Sequence, residues 1–236
     1  MQKENKTISV IIPAFNEEAS IGKVIKDIPS LVHEIVVVDN NSTDSTSKVA
    51  KEFGATVLFE KQKGYGIACL TGIEYLKNKN IDILVFLDGD YSDYPEELTD
   101  LVEPIIIDDF DFILGSRVLG EKEVGALPIQ SQFGSIIAGF FMNLFWKVKY
   151  TDLGPFRAIK FDKLFALEME DEWFGWTIEM QIKAAYHKFK IKEIPVKYRN
   201  RIGKSKVTGT LKGTIMASVI IMSTIFKYAF RLRKKN

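Results

Sequence analysis

The sequence predicts an α/β fold, in which a mostly parallel sheet is flanked by helices and followed by a C-terminal amphipathic helix. Short aliphatic and β-branched runs alternate with helical segments in the first half, as is typical of parallel strands joined by crossover helices. The run at 83–87 is apolar throughout, which favours a strand buried on both faces. The length of 236 residues and the hydrophobic content of 46% are sufficient for one such domain.

The predicted elements follow one another along the chain. In the first half, strands are predicted at 8–12, 34–38, 56–59 and 83–87, and helices near 16–18, at 42–53 and at 66–78. In the second half, strands are predicted at 110–114 and 191–198, and helices at 132–146, 162–169 and 177–187. With no internal repeat or linker, we predict one domain at 1–210 and a C-terminal helix with a basic tail at 211–236.

The C-terminal segment has the pattern of an amphipathic helix. Its apolar residues recur at spacings of three and four: Leu211, Ile215, Val219, Met222, Phe226 and Ala229. Basic residues, among them Arg231 and Arg233, end the chain. Such a helix either lies in a membrane interface or packs on the protein itself or in a dimer, and both interpretations stay open. The uncharged stretches at 124–146 and 213–226 do not make convincing transmembrane helices.

Composition excludes several classes of protein. The net charge of +1 gives no basic field of the kind that binds nucleic acid. The single cysteine, Cys69, excludes an internal disulfide and a zinc cluster, and it fits a reducing compartment. The polar N-terminal stretch at 1–10 has no apolar core, so no signal peptide is expected.

Polar side chains follow several predicted strands at the point where each strand ends. The segments at 13–17, 39–42 and 88–92 therefore share one edge of the sheet, where ligands bind in such folds. Asp88 and Asp90 flank Gly89 there. Carboxylate oxygens suit Mg²⁺ or Mn²⁺, which bridge nucleotide phosphates, and the glycine permits close approach to a ligand. The triplet taken alone is equally compatible with an acidic turn that caps the next helix.

Neighbouring segments favour the binding-site interpretation of the triplet. The polar cluster at 39–44 offers groups for a base or ribose, although it also has the composition of an N-cap and turn. Lys63 precedes a glycine turn and a helix, so the amides and lysines there suit phosphate. Arg117 follows a strand end and shares the same edge, although it is also compatible with a surface cation.

Four motifs in order resemble the family 2 glycosyltransferases, which have the GT-A fold. They are the segment at 10–18, the segment at 36–46, the triplet at 88–90 and Gly115-Ser116-Arg117. Later segments at 152–158, 175–180 and 201–206 are similar to those of the dolichyl-phosphate mannose and glucose synthases and their bacterial relatives. Two departures are Gly154-Pro155-Phe156, where those enzymes usually have Ser-Gly-Phe, and Ser92, where they often have Gln.

The resemblance implies a role for each matching position. Nucleotide-sugar binding is implied for Pro13, Ala14, Phe15, Glu17, Asp39, Asn40, Lys63, Asp88, Gly89, Arg117, Arg201 and Lys206. Asp90 is the expected main metal ligand with Asp88 beside it, and the expected cofactor is Mg²⁺ or Mn²⁺. Asp90, Arg117 and Glu179 are the candidate catalytic residues. Glu179 is either a base for a hydroxyl acceptor or a structural partner of Arg157 or Arg201.

The implied function is inverting transfer of a hexose from a UDP-glucose or GDP-mannose type of donor to a polyprenyl-phosphate type of acceptor. The alternative uses the same donor and a sugar or small-metabolite hydroxyl, with Glu179 as base. A nucleotidyltransferase is disfavoured because the loop at 13–17 is not rich in glycine and carries no Arg-Lys pair. An inactive scaffold is disfavoured because Asp88 and Asp90 are both present. The expected protein is peripheral on the cytoplasmic face of a membrane, and a homo-oligomer remains open.

Overall fold

The computed structural model of the chain describes residues 6–203 and 211–233. Its strands are β1 Ile8–Ala14, β2 Glu34–Asp39, β3 Thr56–Phe59, β4 Ile83–Phe86, β5 Phe112–Ser116, β6 Arg157–Lys160 and β7 Ile191–Pro195. Its helices are α1 Ile21–Asp27, α2 Thr46–Glu52, α3 Tyr65–Leu76, α4 Leu98–Ile107, α5 Ile129–Trp146, α6 Phe161–Ala166, α7 Trp176–Tyr186 and α8 Leu211–Arg233, and a 3-10 turn at Pro95–Glu97 precedes α4.

The strands form one seven-stranded sheet in the order β3-β2-β1-β4-β6-β5-β7. β1 lies inside the sheet and pairs in parallel with β2 and β4, so that Val10 lies between Ile35 and Val85. β6 runs antiparallel to both of its neighbours, β4 and β5. The prediction of a mostly parallel sheet flanked by helices is confirmed, with β6 as the antiparallel exception.

Side chains of the central strands fill two cores because successive residues point to opposite faces of the sheet. On one face, Ile11 and Phe86 pack with residues of α3, α5, α7 and α8. On the other face, Val10 and Val85 pack with residues of α1, α2 and α4. This two-sided burial explains why the strand at 83–86 has no polar residue.

The structure differs from the prediction at two helix starts. α1 begins at Ile21 rather than near 16–18, because the chain turns at Asn16 with a φ of 54°. α2 begins at Thr46 rather than at 42, because Asp39 accepts a hydrogen bond from the Ser42 amide and holds the chain in a turn. Helix α4 and strand β6 were not predicted.

Helix α8 packs along α5 and α7 and joins the core on their side of the sheet. Ile225, Tyr228 and Ala229 are buried. Val219 and Phe226, both members of the predicted apolar stripe, are 61% and 38% exposed. Therefore α8 both packs on the protein and presents apolar side chains outward. Among the described residues, no helix is long and apolar enough to cross a membrane.

Candidate functional site

A cavity of about 780 Å³ opens at the carboxyl ends of β1, β4 and β5. Eleven of the predicted site residues line it: Pro13, Ala14, Phe15, Glu17, Asn40, Lys63, Asp88, Gly89, Asp90, Arg117 and Arg201. Asp39 and Glu179 do not line it. Lys206 lies outside the described residues. The structure thus brings most of the predicted donor-binding set into one cavity.

The loops after β1 and β2 hold each other in place. The Asn16 amide donates to the Ser42 hydroxyl at 2.9 Å, and the Glu17 amide donates to the Thr46 hydroxyl at 2.8 Å. In return, the Thr43 amide donates to Oδ1 of Asn16 at 2.8 Å. The polar residues after β2 therefore hold in place the loop after β1, which carries Phe15 and Glu17.

Asp39 has a supporting role within this loop. One carboxylate oxygen accepts the Ser42 amide at 2.9 Å, and the other accepts the hydroxyl of Ser47. Both contacts fix the turn after β2 beside the cavity. Asp39 therefore shapes this turn and does not itself line the cavity.

The wall formed by the loop after β3 is tied to β2 through Asn40. Oδ1 of Asn40 accepts the Gly64 amide at 2.8 Å, and its Nδ2 donates to the Gln62 carbonyl at 2.6 Å. The ammonium of Lys63 lies 4.8 Å from the centre of the Phe15 ring. An aromatic ring and a cation therefore lie together in the cavity lining, a pair of groups that suits a flat ring and an anion.

The two aspartates of the triplet have different surroundings. Asp90 is paired, since one oxygen lies 2.7 Å from Arg201 and the other accepts the Ser92 amide at 2.9 Å. Oδ1 of Asp88 is buried and has no hydrogen-bond partner among the described residues. Burial and then the negative charge of Asp90 raise the pKa of Asp88 to about 7, although Arg201 and Arg117 oppose that rise.

These two carboxylates fit a divalent cation that is shared with a ligand. No group of three or more His, Cys, Asp or Glu side chains able to hold a metal occurs within 6–203 and 211–233. Mg²⁺ usually takes one or two carboxylates, several waters and substrate phosphates. The unpartnered oxygen of Asp88, close to the Asp90 carboxylate, supplies such a partial set.

Arg117 is a fixed cation and not a free surface arginine. Its Nε and Nη2 donate to the two oxygens of Asp152 at 2.7 and 2.8 Å, and its guanidinium lies 5.0 Å from the ring centre of Tyr198. Burial would lower the pKa of Arg117, but the charge of Asp152 keeps it well above its usual value. The cavity lining therefore contains a permanently charged guanidinium that is paired with the Asp152 carboxylate.

Sequence reasoning missed Asp93, a buried carboxylate below the triplet. Neither of its oxygens has a hydrogen-bond partner among the described residues. Burial, and then the charge of Asp88, raises the pKa of Asp93 well above its usual range. Its place three residues after Asp90 was the only signal in the sequence.

Glu179 is fully buried in α7 and does not line the cavity. It accepts the amides of Glu170 and Asp171 at 2.8 to 3.2 Å and the Tyr228 hydroxyl at 2.5 Å. Its ion-pair partner is Lys183 at 2.8 Å, in place of the expected Arg157 or Arg201. This set of contacts favours a structural role for Glu179 over that of a base.

Helices α5 and α8 form the outer wall of the cavity. Gln130, Ser131, Gly134 and Ser135 of α5 line it, together with Ser218 and Ile221 of α8. The outer face of α5 is apolar and about half exposed or more: Ile129, Phe133, Ile136, Ile137, Phe140 and Leu144. The same helix thus lines the cavity with one set of residues and exposes an apolar surface with another, and we call that surface the α5 apolar face.

The aromatic residues near α7 divide between two environments. Trp173 and Phe174 line the cavity. Trp176 is buried in the core, where its ring lies 5.9 Å from that of Phe86. Only the first two are therefore placed to contact a ligand.

Similar proteins agree with this architecture. A family model described as Glycosyl transferase family 2 matches residues 9–166. An uncharacterized glycosyltransferase of Mycobacterium tuberculosis is 32% identical over 215 residues, which are 89% of this chain and 94% of that protein. A dolichyl-phosphate hexose transferase of Haloferax volcanii is 28% identical over 221 residues, which are 91% of this chain and 92% of that protein.

Among solved structures, that of glucosyl-3-phosphoglycerate synthase from Mycobacterium tuberculosis has a TM-score of 0.77 and 22% sequence identity. The match covers 95% of this chain and 80% of that one, whose crystals contain Mn²⁺, UDP-glucose and phosphoglyceric acid. This likeness confirms the GT-A fold that the sequence motifs predicted.

Proposed function

Since this chain belongs to glycosyl transferase family 2, we propose that it transfers a hexose with inversion from a UDP-glucose or GDP-mannose type of donor to a polyprenyl-phosphate type of acceptor. One observation carries the proposal. A single cavity has a charged floor, which contains Asp88, Asp90, Arg117 and Arg201, and a wall contributed by α5, the helix whose outer side is the α5 apolar face. The floor suits a diphosphate and the apolar face suits a lipid.

The donor half of the proposal rests on the loops after β1, β2 and β3. Phe15 offers a flat surface for a base, and Lys63 beside it offers a positive charge for phosphate. Gly64 precedes α3 with a φ of 152°, and a β-carbon there would lie 2.3 Å from the Glu172 carbonyl oxygen. Glycine is therefore required for the loop to lie so close to its neighbours.

The leaving group sets the chemistry at the floor of the cavity. Breaking the bond between the sugar and the diphosphate leaves a nucleoside diphosphate, whose added negative charge needs fixed positive charge. Asp88 and Asp90 would hold Mg²⁺ or Mn²⁺, which supplies part of that charge when bound. Arg117 is held in place by Asp152 and needs no rearrangement to supply positive charge to the leaving diphosphate.

A phosphate acceptor agrees with the surroundings of the floor. It is already ionised, so its oxygen attacks the sugar without a base. The described cavity offers Arg117 and Arg201 to hold such an anion. The dolichyl-phosphate hexose transferase, whose name states a lipid-phosphate acceptor, resembles this chain over nearly its whole length.

The lipid part of the acceptor has a matching surface. The face formed by Phe133, Ile136 and Phe140 carries no charge, and it belongs to the helix that contributes one wall of the cavity. Lys147 and Lys149 follow directly in the chain, and Lys227 lies on the neighbouring helix α8. An apolar helix face with nearby cations suits an anionic membrane surface. We therefore propose peripheral association with a membrane through α5.

The test is a donor-hydrolysis screen over UDP- and GDP-sugars with Mn²⁺ or Mg²⁺, repeated with polyprenyl phosphate in detergent or vesicles. Release of nucleoside diphosphate is expected to rise when the lipid phosphate is added, with a glycosylated lipid as product. A Phe140→Ser variant is expected to lose most of the lipid-stimulated rate in vesicles and to keep the lipid-independent hydrolysis.

The matched control is Ile107→Ser, because Ile107 is 58% exposed at the end of α4, which packs on the opposite face of the sheet. Equal loss of vesicle activity in both variants would remove the case for the α5 apolar face. Stimulation by a sugar or small-metabolite hydroxyl, with none by lipid phosphate, would replace the proposed acceptor by the alternative one.

A further inference from the structure

Helix α8 is connected to the cavity wall by hydrogen bonds through one buried carboxylate. The Tyr228 hydroxyl donates to Oε1 of Glu179 at 2.5 Å, and the Tyr228 side chain is 2% exposed. Oε1 and Oε2 of Glu179 also accept the amides of Glu170 and Asp171. Glu179 is therefore shared between α8 and the chain segment that precedes α7.

A second set of contacts strengthens the same connection. Arg231 of α8 makes two hydrogen bonds to the carboxylate of Glu170, at 2.6 and 2.9 Å. Lys183 of α7 lies 2.8 Å from Glu179 and also donates to the Glu168 carbonyl. Both ends of the short stretch around Glu170 are thus held by side chains from helices.

Residues 170–173, which we call the bridge segment, also contact the start of α3, where the loop at 63–66 enters the helix. The amides of Gly66 and Ile67, at the start of α3, donate to the carbonyls of Trp173 and Glu172 at 3.2 and 3.0 Å. A β-carbon on Gly66 would lie 1.9 Å from the Asp171 carbonyl oxygen, so the bridge segment and the start of α3 are in close contact there. The bridge segment and the loop at 63–66 therefore keep their relative position or move together.

The bridge segment also contributes directly to the cavity. Trp173 lines it, as do Lys63, Gly64 and Tyr65 on the other side of these hydrogen bonds. Ser218 and Ile221 of α8 line the same cavity about two to three turns before Tyr228. A continuous set of hydrogen bonds thus connects α8, through the bridge segment, to the loop at 63–66.

We propose that Tyr228 is a positioning residue. Its hydrogen bond to Glu179 holds α8 against α7, and so fixes the position of the bridge segment and of the nucleotide-binding loop at 63–66. This inference rests on the proposed donor site. It gives α8 a part in donor binding, in addition to its place beside the acceptor. It also gives Glu179 a function that requires no contact with the substrate.

The first test is Tyr228→Phe, which removes the hydroxyl and keeps the ring. Its matched control is Tyr75→Phe, since the Tyr75 hydroxyl also donates to a glutamate, Glu34, at 3.0 Å, but at the far end of α3. Titration of UDP and GDP with Mn²⁺ is expected to give a dissociation constant about fivefold to tenfold higher for Tyr228→Phe and unchanged for Tyr75→Phe.

The second test needs no ligand. Amide hydrogen exchange at Gly66 and Ile67 is expected to speed up in Tyr228→Phe and to stay unchanged in Tyr75→Phe. Unchanged exchange at these amides would overturn the coupling, whatever the protein binds. Faster exchange in a protein that binds neither nucleotide would support the coupling and count against the proposed donor site.

Glu179→Gln separates the two roles considered for this residue. A positioning role predicts weaker equilibrium binding of the nucleotide in the absence of any acceptor. A base role predicts normal nucleotide binding and a lower turnover with a hydroxyl acceptor only. Normal binding in both Glu179→Gln and Tyr228→Phe would therefore overturn the inference.

Discussion

Replacing Asp90 with asparagine tests the charged floor of the cavity most directly. The carboxylate has two kinds of neighbour: Ser92, which donates to one oxygen, and Arg201, which pairs with the other at 2.7 Å. An asparagine keeps one acceptor oxygen for Ser92 and loses the negative charge. The variant is therefore expected to fold and to change only what the charge does.

The expected effect of Asp90→Asn has opposite signs with and without metal. With Mn²⁺, the loss of one of two carboxylate ligands is expected to weaken UDP or GDP binding about 100-fold, equivalent to about 3 kcal/mol. Without metal, the substitution removes a negative charge from the proposed diphosphate site and releases Arg201. Charges about 4 Å apart interact by up to about 4 kcal/mol at an effective dielectric constant of 20. Metal-free binding is therefore expected to strengthen severalfold.

The assay is calorimetric titration of UDP and GDP with Mn²⁺ and with chelator. Asp100→Asn is the charge-matched control, because Asp100 is exposed in the first turn of α4 and does not line the cavity. If Asp90→Asn keeps the wild-type difference between the two conditions, Asp90 is not a metal ligand and the floor has been interpreted wrongly.

Two further predictions concern stability and are measured by urea unfolding. Gly66→Ala is expected to lower the free energy of unfolding by about 1–3 kcal/mol, because the added β-carbon would lie 1.9 Å from the Asp171 carbonyl oxygen. The control Gly134→Ala meets no atom within 4 Å and is expected to raise that free energy by about 0.5 kcal/mol. Equal effects of the two substitutions would contradict the close fit of the bridge segment. Burial would raise the pKa of Asp111, but hydrogen bonds from the Lys190 amide and Lys160 lower it below the usual value. The ionised Asp111 therefore stabilises the folded state above about pH 4, and this stabilisation is lost as the pH falls through the lowered pKa. Asp111→Asn is therefore expected to cost about 1 kcal/mol at pH 7 and to flatten the acid side of the stability profile, and an unchanged profile would contradict this assignment.

The sequence predicted the parts of the fold that depend on local pattern. Strands β1 to β4 are runs of buried aliphatic residues, and their ends gave the position of the cavity because parallel strands end at one edge. Strand β6 was missed because its four residues begin with Arg157 and end with Lys160, so it lacks an apolar run. Helix α4 was missed in part because it contains Pro104.

The partners of buried charged residues were not predictable from local pattern. Glu179 is paired with Lys183 one turn away, but its bond to Tyr228 joins residues 49 positions apart. Likewise, Arg117 was recognised at a strand end, while its partner Asp152 comes from a loop 35 residues later. Such pairs depend on how helices and loops meet after the sheet has formed, which periodicity does not encode.

The antiparallel strand β6 also bears on the order in which the chain acquires its structure. β6 lies between β4 and β5, so β5 is joined to the strands before it only through residues 157–160. A chain that emerges from the ribosome as far as β5 therefore has a sheet of four strands with an open edge at β4. That edge is closed only about 40 residues later. Strand β5 then remains an open edge until β7 pairs with it. A fragment ending before Arg157 is thus expected to associate edge to edge, and one extended through β7 to remain dispersed.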